Sequence, residues 1–201
     1  MPRTEQVNRQ IREETADKIL VAAREVFARK GMAAKMADVA SQAGVSPGLA
    51  YHYFPSKGAI FLALVRQLIR PADELLAIVQ RMPGTPRDRL KRIVTAMIER
   101  RRKDPWFFQF FYQAMTIDGL PADLRKQIKQ QGLSMREIVR GLIIDGQATG
   151  EIANGDPDKL ASALLTCVDG LSRVAQLSPA DVEKQMPDAG MILRLLGPEP
   201  R

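Results

Sequence analysis

Apolar residues recur at spacings of three and four along almost the whole chain, the period of helices that bury one face, and no strict alternation is long enough to require a strand. The pattern predicts an all-α protein. Ile19, Leu20, Ala23, Val26 and Phe27 share one face of a first helix over about 14–30, with Gly31 as its stop. Met36, Val39, Ala40 and Ala43 make a second helix of about two turns, ended by Gly44. Ser46 and Pro47 are the N-cap and first position of a third helix that ends near Tyr53. Pro55 breaks the chain, and Ser56 can cap a fourth helix running through Phe61, Leu64 and Leu68 into the seventies. Residues 82–86 (Met-Pro-Gly-Thr-Pro) read as a loop. Further helices are predicted over 87–103, from Asp104-Pro105 onward, over 121–149, from Asp156-Pro157 onward, and as one last helix within 179–196.

Two short helices joined by a glycine-containing turn are the sequence form of a helix-turn-helix, here over residues 36–54, whose second helix enters the major groove of DNA. The outward candidates on that helix, Pro47, Gly48, Leu49 and His52, are poor side-chain donors. Base reading would therefore lean on backbone groups, apolar contact with thymine methyls and His52. Ser46 is counted with the DNA-binding residues, the hydroxyls of Tyr51 and Tyr53 can reach phosphate oxygens, and Lys57 sits in the first turn of the fourth helix, where backbone N–H groups also favour a phosphate.

The continuous string Ala43-Gly44-Val45-Ser46-Pro47-Gly48-Leu49-Ala50-Tyr51-His52-Tyr53-Phe54-Pro55-Ser56-Lys57 closely resembles the signature of TetR family repressors. The resemblance reaches back through Ile19 to Phe27 and Gly31, covering about residues 15–62; beyond that the chain matches in helical layout and length. It implies an N-terminal three-helix DNA-binding domain, residues 1–56 with a core of 14–56, followed by a helical ligand-binding and dimerisation domain over 57–201. It further implies a homodimer on double-stranded DNA with a palindromic operator, released by a small apolar or amphipathic molecule. Two positions depart from the family pattern. Lys35 stands where a capping Thr is usual, and Met36 and Ala37 replace commonly polar contact residues; Lys35 could reach a phosphate but cannot cap a helix.

Charge and composition add constraints. The formal charge is +7, and residues 1–60 hold nine Lys or Arg against six Asp or Glu, so basicity supports a polyanionic partner without localising it. No apolar stretch approaches the ~20 residues of a membrane span. The N-terminus lacks the apolar centre of a secretory signal, and the single Cys167 suits a reducing compartment; both predict a cytoplasmic protein. One His, one Cys, no phosphate-binding glycine loop and no metal-spaced pair leave no catalytic constellation, no cofactor and no metal, so the chain is not expected to be an enzyme.

Six of the eleven aromatic residues fall within 106–112. Trp106, Phe107, Phe110 and Phe111, with Met97, Met115, Leu133, Ile138 and Leu142 on neighbouring helices, read either as the wall of a ligand pocket or as core. The run Arg100 to Lys103 reads as a solvated helix end, with an acidic ligand or partner as the alternative. Leu160, Leu164, Cys167, Val168 and Leu171 form a near-heptad stripe, and Val182, Ile192 and Leu195 part of a second. The resemblance implies that both stripes lie at a dimer interface, and two half-sites need two reading helices at fixed spacing, with packing inside one chain as the alternative reading. The competing readings are a ligand-independent DNA-binding or architectural protein and a helical small-molecule carrier.

Overall fold

The computed structural model describes residues 2–68, 72–118, 120–177 and 182–197, and among them the regular structure is helical, with eleven α-helices. The chain divides into two compact units, Met1–Leu68 with Gln109–Leu124, and Ile69–Phe108 with Arg125–Arg201.

The first unit holds α1 (Pro2–Lys30), α2 (Met36–Ala43), α3 (Pro47–Tyr53) and α4 (Lys57–Leu68). It also takes most of α7 (Pro105–Thr116), which begins in the second unit. Helix α1 starts well before the residue 14 that the apolar pattern suggests. Residues 7–14 are exposed, and local bonds such as Gln10 Nε2 to Glu14 Oε1 (2.9 Å) support the helix there, so no apolar period announces it. From Ile19 the buried face begins. Ile19, Ala23 and Phe27 of α1, Val39 and Ala40 of α2, Ala50 of α3, and Ile60, Phe61 and Leu64 of α4 are all buried within this unit, where α1 packs on α2 and α4 and α2 packs on α3. Phe27, Phe61 and Phe110 close it, with ring centroids 5.3–6.3 Å apart. Helix α7 is fastened to this unit by Gln109 and Gln113, whose side-chain amides donate to the Ala28 carbonyl at 2.6 and 2.7 Å.

The second unit holds α5 (Ala72–Arg81), α6 (Pro86–Lys103), most of α8 (Ala122–Ala148), α9 (Pro157–Leu177), α10 (Val182–Gln185) and α11 (Ala189–Leu193). Residues 69–71, where a continuous fourth helix was expected to run, lie outside the described residues; α4 is described to Leu68 and α5 from Ala72. Helix α6 begins at Pro86 because Thr85 and Asp88 cap each other's backbone N–H reciprocally. Its stripe Leu90, Val94 and Ile98 packs with Val139 and Ile143 of α8 and Leu164 and Val168 of α9.

The single last helix expected within 179–196 is corrected. Pro179 lies outside the described residues, and α10 and α11 are separate, because Pro187 offers no N–H and Asp188 then restarts the helix by accepting from Met191 N at 2.8 Å.

The Arg100 to Lys103 run is also corrected. Arg101 is fully buried. It donates to Asp169 Oδ1 (2.6 Å), Ser172 Oγ (3.1 Å) and the Met97 carbonyl (3.0 Å), and its guanidinium lies 3.6 Å from the Phe108 ring centroid. Arg100 covers Phe107 at 3.8 Å. These two cations are packed against aromatic faces that the sequence pattern could not pair with them.

Candidate nucleic-acid interface

The α2–α3 pair is built by local chemistry. Gly44 adopts φ +62°, a conformation that costs a residue without a Cβ little, and the N–H groups of Gly44 and Val45 close the end of α2 on Ser41 and Ala40 carbonyls. Ser46 is extended and its Oγ accepts from Leu49 N at 3.1 Å, with Pro47 at the first helical position. Helix α3 buries Ala50 and turns Pro47, Gly48, Leu49, Tyr51 and His52 outward, with Leu49 40% and Tyr51 53% exposed. Tyr53 and Phe54 are half-buried, and Tyr53 meets the His52 ring edge to face at 5.7 Å. The result is a convex helix surface with backbone, hydroxyl and apolar groups and few strong donors.

The start of α2 forms without a side-chain cap from Lys35. Asp38, three residues on, accepts from Lys35 N at 2.8 Å and from Lys30 Nζ at 2.8 Å. The Lys30 hydrogen bond, followed by that from the Lys35 backbone, holds the Asp38 carboxyl below its ordinary value. The sequence signal for this arrangement was the acidic residue at the third helical position.

Lys57, expected at a phosphate, is engaged with backbone carbonyls of its own unit. Its ammonium is half-buried and donates to the Met32 carbonyl at 2.6 Å and the Ala34 carbonyl at 3.3 Å, satisfying the chain as it leaves α1. Lys35 remains exposed and without an ion pair among the described residues. So does Lys18 on α1, which sequence reasoning passed over because it stands on an ordinary charged helix face.

The residues considered for a ligand pocket are scattered. Phe110 is in the first unit's aromatic core; Phe107 is buried under Arg100; Ile138 and Leu142 are in the second unit's core; and Leu133 is 47% exposed. Met97, Trp106, Phe111 and Met115 are half-buried. In the second unit a groove of about 290 Å³ opens between α6 and α11, lined by residues including Thr95, Ile98, Arg102 and Gly190, none of them in the predicted set. Of the interface stripes, Leu164, Val168, Leu171 and Ile192 turn into the second unit's own core, Leu160 and Cys167 are half-buried, and Leu195 is 67% exposed. The Val182 side chain lies outside the described residues. Helix α9 instead exposes Ala163, Thr166 and Gly170.

Among the described residues no helix is long and apolar enough to cross a membrane, and no group of three or more His, Cys, Asp or Glu is placed to hold a metal ion.

A short, capped helix held outward on a three-helix core after a glycine turn is the architecture of a helix-turn-helix DNA-binding protein. Residues 19–64 match the model of "Bacterial regulatory proteins, tetR family", and residues 83–173 that of "Tetracyclin repressor-like, C-terminal domain". The chain belongs to the TetR family. It is 36% identical over 73 residues to the HTH-type transcriptional regulator BetI of Brucella abortus (strain 2308), a match covering 36% of this chain and 37% of that protein. The chain thus spans little more than a third of that relative's length. The crystal structure of the MbdR regulator from Azoarcus sp. CIB superimposes with a TM-score of 0.68 at 23% identity, over 90% of this chain and 97% of that one. The TetR family transcriptional regulator PfmR from Thermus thermophilus gives 0.67 at 20%, over 91% and 99%. At these identities the structural likeness establishes a shared fold.

Proposed function

We propose that the protein is a cytoplasmic, homodimeric transcriptional repressor that binds a palindromic DNA operator through α3 and is released by a small apolar or amphipathic effector bound by its C-terminal helices. The observation that carries this reading is the outward face of α3: Pro47, Gly48, Leu49, Tyr51 and His52 are all exposed on a helix that is rigidly capped at its start. An α-helix, about 10–12 Å across with its side chains, fits a major groove about 12 Å wide. Tyr51 and Lys35 supply phosphate contacts at the edges, and Leu49 and His52 face base edges. Family membership supports regulation, and effector coupling of ~1–3 kcal/mol is the usual scale for such switches.

Genomic footprinting of the purified protein, followed by anisotropy titration of the recovered site, tests the reading. The expected result is a two-fold symmetric footprint and a loss of ~1–3 kcal/mol for His52→Ala combined with Leu49→Ala, concentrated on the recovered sequence. Equal affinity of this double variant and the parent for the recovered site would remove α3 as the reading helix.

A further inference from the structure

We propose that Lys18 of α1 is a DNA phosphate contact, placed beside the helix-turn-helix by the antiparallel run of α1 along α2. Three contacts fix that run. Lys30 Nζ meets Asp38 at 2.8 Å near the start of α2, Gln42 Nε2 meets Glu25 at 2.8 Å near its end, and Lys18 Nζ lies 3.8 Å from where a Cβ on Gly44 would stand. The Lys18 ammonium therefore sits over the turn itself. Gly44 is three residues from Pro47, where the reading helix begins, a separation of at most ~10 Å.

In helix-turn-helix docking the first helix crosses the DNA backbone and the N-terminal residues of the second enter the groove. The turn thus lies next to a strand that carries one charge per ~3.4 Å of axis. Lys18 is exposed and has no ion pair or hydrogen bond among the described residues; of its nearest acidic neighbours on α1, Glu14 accepts from Gln10 instead. Lys57, by contrast, gives two of its three N–H donors to the Met32 and Ala34 carbonyls. With two of the three Lys57 N–H groups engaged inside the protein and α3 poor in cations, Lys35 and Lys18, at the two ends of α2 and without an ion pair among the described residues, are charges placed to meet the backbone. This inference rests on α3 being the reading helix.

Because a phosphate contact is independent of sequence, sonicated duplex DNA serves as the probe, with binding followed across a salt series for the parent chain, Lys18→Gln and Lys18→Arg. The expected result in Lys18→Gln is a log–log salt slope shallower by about 0.9 for each protomer, about 1.8 for the bound homodimer, and an affinity about sixtyfold lower near 0.1 M salt, with Lys18→Arg matching the parent. Thermal stability should be equal in all three. An unchanged slope in Lys18→Gln overturns the proposal. A lowered melting temperature with an unchanged slope also overturns it, since the ammonium would then serve the C-terminal end of α2 alone. If the parent itself fails to bind duplex DNA, the proposed function falls and not the placement of this one contact.

Discussion

The ammonium of Lys57 lies 2.6 Å from the Met32 carbonyl oxygen, so the first residue of α4 is tied to the chain just past α1, 25 positions earlier. Two of the three N–H groups of a side chain that sequence pattern offers to DNA are held by backbone carbonyls of the protein itself. Lys57→Met keeps the aliphatic stem and removes the charged hydrogen bonds. It should cost about 1.5–3 kcal/mol of stability in urea unfolding, and should not change the salt slope of DNA binding. A shallower slope with unaltered stability would return Lys57 to the DNA.

Arg101 and Asp169 form a half-buried pair in which the cation is fully buried and the carboxylate side chain is 45% exposed. Asp169→Ala leaves a buried charge without its acid and should cost ~3 kcal/mol, at the lower end of such losses because water reaches the vacated position. Adding Arg101→Met should restore part of the stability, since no charge then stays buried. Strictly additive losses in the double variant would contradict this account.

Phe110 packs against both Phe27 (tilted) and Phe61 (edge to face), joining three separate segments of chain. Phe110→Ala should destabilise the first unit by ~3–5 kcal/mol, and Phe110→Leu by much less. Hydrogen exchange at α1 and α4 amides reports this directly, and unchanged protection there would contradict it.

Helix α9 separates buried Val168 from exposed Thr166. If the exposed face pairs with a second copy, Thr166→Arg should leave the protomer folded and halve the sedimenting mass, whereas Val168→Arg should unfold it. A Thr166→Arg protein that sediments like the parent would place the interface elsewhere.

Asp38 is held below its ordinary value of 3.8 by Lys30 and the Lys35 N–H, so its charged form is favoured in the folded state. Its contribution is present above the unfolded value and is lost as pH falls through the depressed one. Asp38→Asn should therefore lower the melting temperature at neutral pH and converge with the parent in strong acid; a constant difference down to the most acidic pH would rule this out.

Sequence pattern was a good guide where burial and capping coincide. Ser46, Pro47 and Gly44 each dictate a local conformation, and α2, α3 and the start of α6 and α9 follow from such residues. Pattern was a poor guide where the deciding partner is distant. The α1 extension has no buried face to show, and Arg101 looks like any cation at a helix end until Asp169 and Phe108 are brought to it from 68 and 7 residues away. The stripe on α9 is ambiguous for a related reason: Leu164 and Val168 carry the period of an interface, but one helix offers its apolar stripe first to its own protomer.

The first unit is discontinuous in the chain, with Phe27 and Phe61 waiting for Phe110 to complete their core. On the ribosome, about forty residues separate the end of α4 from that ring, an interval of a few seconds at ~5–20 residues per second. During it the nascent helix-turn-helix leaves the faces of Phe27 and Phe61 that Phe110 later covers open to solvent. A gene fragment ending at residue 68 would keep that state permanently and accumulate as insoluble material, so a minimal reading head cut from this protein has to carry α7 with it.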